Sequence, residues 1–223
     1  MPTFAIVGAG TGLGLSTARR FGREGFAVGL IARSQEHLDE LAATLADEGI
    51  TASGHAADVR DPGALRAALD AAAGDLGPIT ALQYSPLPSR RYLEPVLDTD
   101  VDDLRDALEF SVLGLATATH QVLPGMRDAG GGSVLLVNGG TSVRPRPDLA
   151  GTSVSFPAES ALGQILHTAL ADEGIRVRQL VVPGSIRPGD PDTDPDVLAD
   201  RLWELHAQPG EFRTFATAMP ETS

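Results

Sequence analysis

The chain is 223 residues long, enough for a single domain with a sizeable core. Its 17 basic and 30 acidic residues leave a formal charge of −13, which argues against a nucleic-acid surface while allowing a local basic pocket. It contains no cysteine and no lysine, which excludes disulfides, thiolate and iron–sulfur chemistry, Schiff bases, P-loops and lysine-based proton relays.

Apolar runs alternate with helix-period segments about every 25 residues, the pattern of an α/β fold with a parallel sheet of six or seven strands flanked by helices. Thr3–Val7 is predicted as the first strand, 12–24 as the first helix and 26–32 as the second strand. A helix capped by Ser34 follows, with Leu38, Leu41 and Leu45 on one face. The third strand is placed at 51–56, and Asp61-Pro62 opens the next helix. Strands four, five and six are placed at 79–83, 133–137 and 175–182, with a short seventh over 212–217. Two helices are long and broadly apolar, one over 101–126 and one over 157–172. Their surplus apolar surface predicts a homodimer or homotetramer, with Leu166 facing the partner. The Pro/Asp/Gly-rich stretch 185–196 is expected to be a flexible substrate-side loop of a single domain spanning 1–223. No apolar run approaches the ~18–20 residues of a membrane span, and Met1-Pro2-Thr3 lacks a basic leader. A soluble cytoplasmic protein without membrane or nucleic-acid partners is expected.

The strongest motif is Gly8-Ala9-Gly10-Thr11-Gly12-Leu13-Gly14, directly after the first strand and opening the first helix. Glycines allow a tight turn and let backbone N–H groups approach a pyrophosphate at a helix N-terminus. The second strand ends in Ala32-Arg33-Ser34, with no carboxylate until Glu36. A carboxylate at that point would favour NAD; Arg33 instead offers a planar fork to a 2′-phosphate, and Ser34 a hydroxyl and a helix-terminal N–H. NADP(H) is therefore expected over NAD(H).

These blocks, together with Asp58-Val59 after strand three and Gly174-Ile175-Arg176-Val177 leading to Pro183-Gly184, resemble the short-chain dehydrogenase/reductase family over roughly residues 2–188. The resemblance implies a Rossmann-type, doubly wound parallel β-sheet, that Asp58 and Val59 hold the adenine and that Pro183-Gly184 lies against the nicotinamide. Ser85 and Ile186 join the expected cofactor contacts. It also implies that the two long helices form the subunit interface.

The family's chemistry uses a Tyr, a Lys four residues later, a Ser on strand five and an Asn on the first long helix. Matched to those motifs, the four positions fall on Phe156, Ser160, Gly139 and Ser111. The chain has no lysine, and its sole asparagine, Asn138, lies in strand five. The usual Tyr–Lys carbonyl reduction is thus not expected. Thr141 is a candidate replacement for the strand-five Ser. Tyr84, after strand four, is either a relocated proton donor or, the reading we favour, an aromatic filling space left by smaller side chains. Arg90, Arg91, Arg144 and Arg146 lie on the loops after strands four and five. They are either a capture site for an anionic small-molecule substrate or four solvated loop residues. The five histidines show no metal-ligand spacing, and no metal site is expected. Two functions stay open: an NADP(H)-dependent oxidoreductase with a non-standard proton route, and an inactive NADP(H)-binding sensor or partner subunit.

Overall fold

The first two strands are almost wholly apolar, because they are covered on both faces. In the computed structural model, which describes residues 1–219, β1 (Thr3–Val7) is buried at every residue and β2 (Ala27–Ala32) at all but the last. β3 (Ala52–Ala56), β4 (Ile79–Tyr84), β5 (Gly132–Gly139), β6 (Ile175–Val182) and β7 (Arg213–Phe215) complete one sheet in the order β3-β2-β1-β4-β5-β6-β7. Every neighbouring pair is parallel. The order reverses between β1 and β4, so the crevice at their carboxyl ends is where such sheets bind ligands.

Helices cover both faces. α1 (Leu13–Arg23), α2 (Gln35–Asp47) and α7 (Pro195–Ala207) pack on one face through Phe21, Leu38, Leu45, Leu198 and Leu202. α3 (Pro62–Leu76), α5 (Gly114–Asp128) and α6 (Ala150–Ala169) cover the other, with Leu65, Leu69, Leu115 and Val122 at its centre. The expected caps are present: Ser34 accepts from the His37 N–H, and Asp61 accepts from the N–H groups of Gly63 and Ala64 ahead of Pro62. Among the described residues no helix is long and apolar enough to cross a membrane.

Three sequence expectations are corrected. The helix placed over 101–126 is α4 (Val101–Leu108) and α5 joined by a π turn at Glu109–Leu113, a widening that hydropathy periodicity does not register. The helix expected to begin at Pro157 starts seven residues earlier at Ala150, with Pro157 inside it. Its first turn is anchored by the Ala150 N–H donating to the Glu94 carbonyl, a tertiary contact. The loop expected over 185–196 ends at Asp194, which caps α7; within it Asp190 accepts from the N–H groups of Asp192 and Thr193, so acidic side chains organise the segment. Leu166, expected to face a partner, is half-buried against the core under α6, while Ile165, at 65% exposure, and Val154 are the large apolar side chains of α6 that face outward. The expected domain's last four residues lie outside the described ones.

Candidate active site

The turn between β1 and α1 is shaped by contact with β4. Gly8 has φ +98, and a Cβ there would lie 2.5 Å from the backbone of Pro86. Both conditions demand glycine. Gly10 and Gly12 have open space where a side chain would project, and Gly14 lies against Ala9 at 3.2 Å. Gly12 caps α1 without any side-chain hydrogen bond, and no acidic residue sits in the first helical turn. The result is a positive helix end beneath an uncluttered backbone cradle, which fits a pyrophosphate. Thr11 is exposed on the cradle and Leu13 is buried behind it. Ser85 lies beside it, donating its N–H to the Val7 carbonyl and accepting from Gln83.

At the end of β2, Arg33 is exposed and makes no hydrogen bond or ion pair with the described residues, while Ser34 is occupied as the α2 cap. The neighbouring strand end brings up Asp58, whose carboxylate is held by Arg60: Nη2 at 2.8 Å from one oxygen and Nε at 3.2 Å from the other. This pairing, with a lesser field from Arg33, keeps the Asp58 carboxyl below its ordinary range. Arg60 also reaches Asp106 at 3.2 Å, and Arg91 meets the same carboxylate at 2.6 Å. Sequence reading missed Arg60, because nothing local marks a residue that folds back on the position two before it. Val59 points inward, packing against the core rather than standing free.

Across the crevice, Phe156 and Gly139 face each other: a Cβ on Gly139 would lie 3.9 Å from the Phe156 ring. Phe156 is buried with Tyr92, Ala107 and Phe110. Thr141 is buried in the 3-10 turn that follows Gly139, where Ser142 donates to the Gly139 carbonyl. Pro183 packs near Gly140, and Gly184 turns away with φ +93, leaving Ile186 partly exposed.

Tyr84 takes the packing role. It is fully buried, and its hydroxyl donates to the Phe110 carbonyl at 2.5 Å, within the π turn. Burial pushes that hydroxyl well above its ordinary value, with Glu159 adding to the effect. The ring claims so much room that a Cβ on Gly114 would overlap its oxygen. A proton donor needs access to substrate, and this hydroxyl has none.

Beneath Phe156 lies a buried polar chain that sequence reading did not anticipate. Glu159 is 2% exposed; it accepts from Ser111 through a short hydrogen bond and from Asn138 at 3.0 Å. Asn138 in turn accepts from Gln179 at 2.8 Å. Gln179 accepts from Ser160 at 3.0 Å and from Arg213 at 2.8 Å, and Arg213 also donates to Ser160 at 2.5 Å. Burial pushes the Glu159 carboxyl up to about 7, against the opposing pull of Ser111 and Asn138. The available signals were the single carboxylate of α6 and the only asparagine of the chain.

The four loop arginines do not act as one group. Arg91 is paired with Asp103 and Asp106, and Arg146 with Asp148 at 2.6 Å. Arg90 is exposed, and Arg144 is half-buried.

The family model for short chain dehydrogenases matches residues 2–192. The chain belongs to this family. Among curated short-chain dehydrogenases, dehydrogenase/reductase SDR family member 4 from Sus scrofa is 33% identical over 187 residues, covering 82% of this chain. The chain spans 65% of that relative's length. Among solved structures, a short-chain dehydrogenase from Rhodopseudomonas palustris superposes with TM-score 0.84 at 23% identity, covering 96% of this chain and 97% of its own. L-Sorbose reductase from Gluconobacter frateurii, complexed with NADPH and L-sorbose, superposes with TM-score 0.82 at 21% identity, covering 92% and 90%. The seven-stranded parallel sheet and its flanking helices are those of the short-chain dehydrogenases.

Proposed function

We propose that the chain binds NADP(H) in preference to NAD(H) and transfers hydride to or from a small molecule without the family's Tyr–Lys pair. The observation that carries this reading is the exposed Arg33 guanidinium beside a carboxylate-free strand end, next to an open glycine cradle on an uncapped helix. In the bound complex, Gly8, Gly10, Thr11, Gly12, Leu13 and Gly14 would line the pyrophosphate site and Arg33 with Ser34 the 2′-phosphate. Asp58 and Val59 would border the adenine, and Ser85, Pro183, Gly184 and Ile186 the nicotinamide side. When bound, the cofactor supplies the hydride; the chain's own groups orient it and exclude water. NADPH in the L-sorbose reductase complex is consistent with this reading.

A proton route other than Tyr–Lys is supported by the absence of lysine and by the packing of Phe156 against Gly139. That same packing favours a second reading, in which the cofactor is bound and sensed without turnover. An anionic substrate would rely chiefly on Arg90, since Arg91 and Arg146 already neutralise neighbouring acids. We also propose a homo-oligomer paired through the outward faces of the α4–α6 helices, with Ile165 central. Calorimetric titration tests the cofactor reading: NADPH should bind roughly 10- to 100-fold tighter than NADH, and Arg33→Asp should reverse the order, as expected for losing a charge-assisted fork. Equal affinities in the parent protein would refute it. NADPH oxidation across carbonyl, imine and enone substrates separates turnover from sensing.

A further inference from the structure

We propose that Glu159 is a proton-holding residue of the cleft wall, exchanging one proton through a hydroxyl switch formed with Ser111. The geometry supplies both states. Ser111 Oγ has two acceptors within reach, a carboxylate oxygen of Glu159 and the Ser155 carbonyl at 3.4 Å. With Glu159 ionised, Ser111 donates to the carboxylate. With Glu159 protonated, the carboxyl O–H donates to Ser111 Oγ, and the Ser111 proton turns to the Ser155 carbonyl. The states differ by one O–H bond on Glu159, made with a proton from solvent and broken by returning it. Asn138 donates to the other carboxylate oxygen in both states. No buried group is left unpaired in either, so neither is penalised by an orphaned donor or acceptor.

The surroundings leave Glu159 as the group that titrates. From β4, Tyr84 faces it as a phenol held neutral by burial. From β5 and β6 come the amides of Asn138 and Gln179, which do not titrate. From β7, the Arg213 guanidinium contacts Ser160 and Gln179 and not the carboxylate. Glu159 thus lies among neutral partners, and its position near neutrality follows from desolvation. The carboxyl reaches Asn138, the residue before Gly139, while its own helix carries Phe156 one turn earlier. Its charge therefore sits behind the β5–α6 wall of the crevice. Ionisation places a negative charge in a low-dielectric wall facing a polyanionic cofactor, and NADPH affinity should fall as pH rises.

This coupling rests on the NADP(H) reading; the proton exchange itself does not. The experiment is a pH series from 5 to 9 on the parent protein, Glu159→Gln and Ser111→Ala. It is read by infrared difference spectroscopy of the protonated carboxyl band, by melting temperature and by NADPH titration. The parent should show a carboxyl band that disappears in a single step near neutrality, absent in Glu159→Gln. Ser111→Ala, which removes a partner favouring the ionised form, should move that step to higher pH. A folded carboxyl held above its unfolded value contributes stability at low pH that is lost as pH rises from the unfolded value through about 7. Glu159→Gln should therefore gain melting temperature on the parent between pH 5 and 8. NADPH affinity should fall by on the order of threefold to tenfold across the same step in the parent and stay level in Glu159→Gln. A parent without a titrating carboxyl band near neutrality overturns the proposal, as does an unmoved step in Ser111→Ala. A parent that titrates as described but binds NADPH at no pH overturns the cofactor reading and leaves the proton exchange standing.

Discussion

On the β1–α1–β2 side, the wall of the crevice is backbone. Gly10 and Gly12 present no side chain, and among the described residues α1 has no side-chain cap and the exposed Arg33 makes no ion pair. On the β5–α6 side the wall is filled. Phe156 packs against Gly139, Tyr84 occupies the volume beside Gly114, and a polar chain runs from Ser111 through Glu159 to Arg213. The first side is open because of what it leaves out. The second is stabilised by groups that satisfy one another, so its chemistry is hidden in hydrogen bonds and not in an exposed nucleophile.

The largest effect should come from disrupting the backbone wall. Gly8→Val would set a branched side chain 2.5 Å from Pro86 at φ +98. It should cost about 2–4 kcal/mol of stability and abolish NADPH binding, measured by denaturant unfolding and titration. The filled wall should resist conversion to the family's usual form. A protein carrying Gly139→Ser, Phe156→Tyr, Ser160→Lys and Ser111→Asn together should give no ketone reduction and a lower melting temperature. Ser160 is buried 2.5 Å from the Arg213 guanidinium, and Ser111 holds Glu159. NADPH-dependent ketone reduction with an unchanged melting temperature would contradict this.

A smaller effect tests whether Tyr84 is a packing residue. Gly114→Ala should destabilise by about 1–3 kcal/mol, and much of that loss should be absent when Tyr84→Phe removes the obstructing oxygen. Additive losses in the double-mutant cycle would show that the two positions do not share that space. The smallest effect on stability is expected at the outer face of α6. Ile165→Glu should change the protomer's own unfolding free energy by no more than about 0.5 kcal/mol, as for an exposed substitution. Sedimentation should nonetheless show monomers where the parent associates.

The backbone wall was legible in the sequence because its signals are local. A glycine run between an apolar strand and a helix, and an arginine where a carboxylate would sit, need only neighbours in the chain to be interpreted. The strand positions followed for the same reason, since strands covered on both faces are apolar along their length. The filled wall was legible only as vacancies. Phe156, Ser160, Gly139 and Ser111 were marked by the groups they are not, and Glu159, one residue before Ser160, passed as an ordinary helix residue. Its meaning depends on Asn138 and Ser111, 21 and 48 residues away in the chain. The π turn is of the same kind, since the carbonyl it turns toward Tyr84 meets a hydroxyl 26 residues away. Sequence alone determined the sheet, the glycine cradle and the charge at the end of β2, because propensity, hydropathy and turn chemistry act between near neighbours. Tertiary structure decided that Arg60 occupies Asp58, that Tyr84 is buried and that a carboxylate is enclosed beneath the crevice. Burial and hydrogen-bond partnership are set by which strands and helices meet, and desolvation converts those meetings into altered proton affinities.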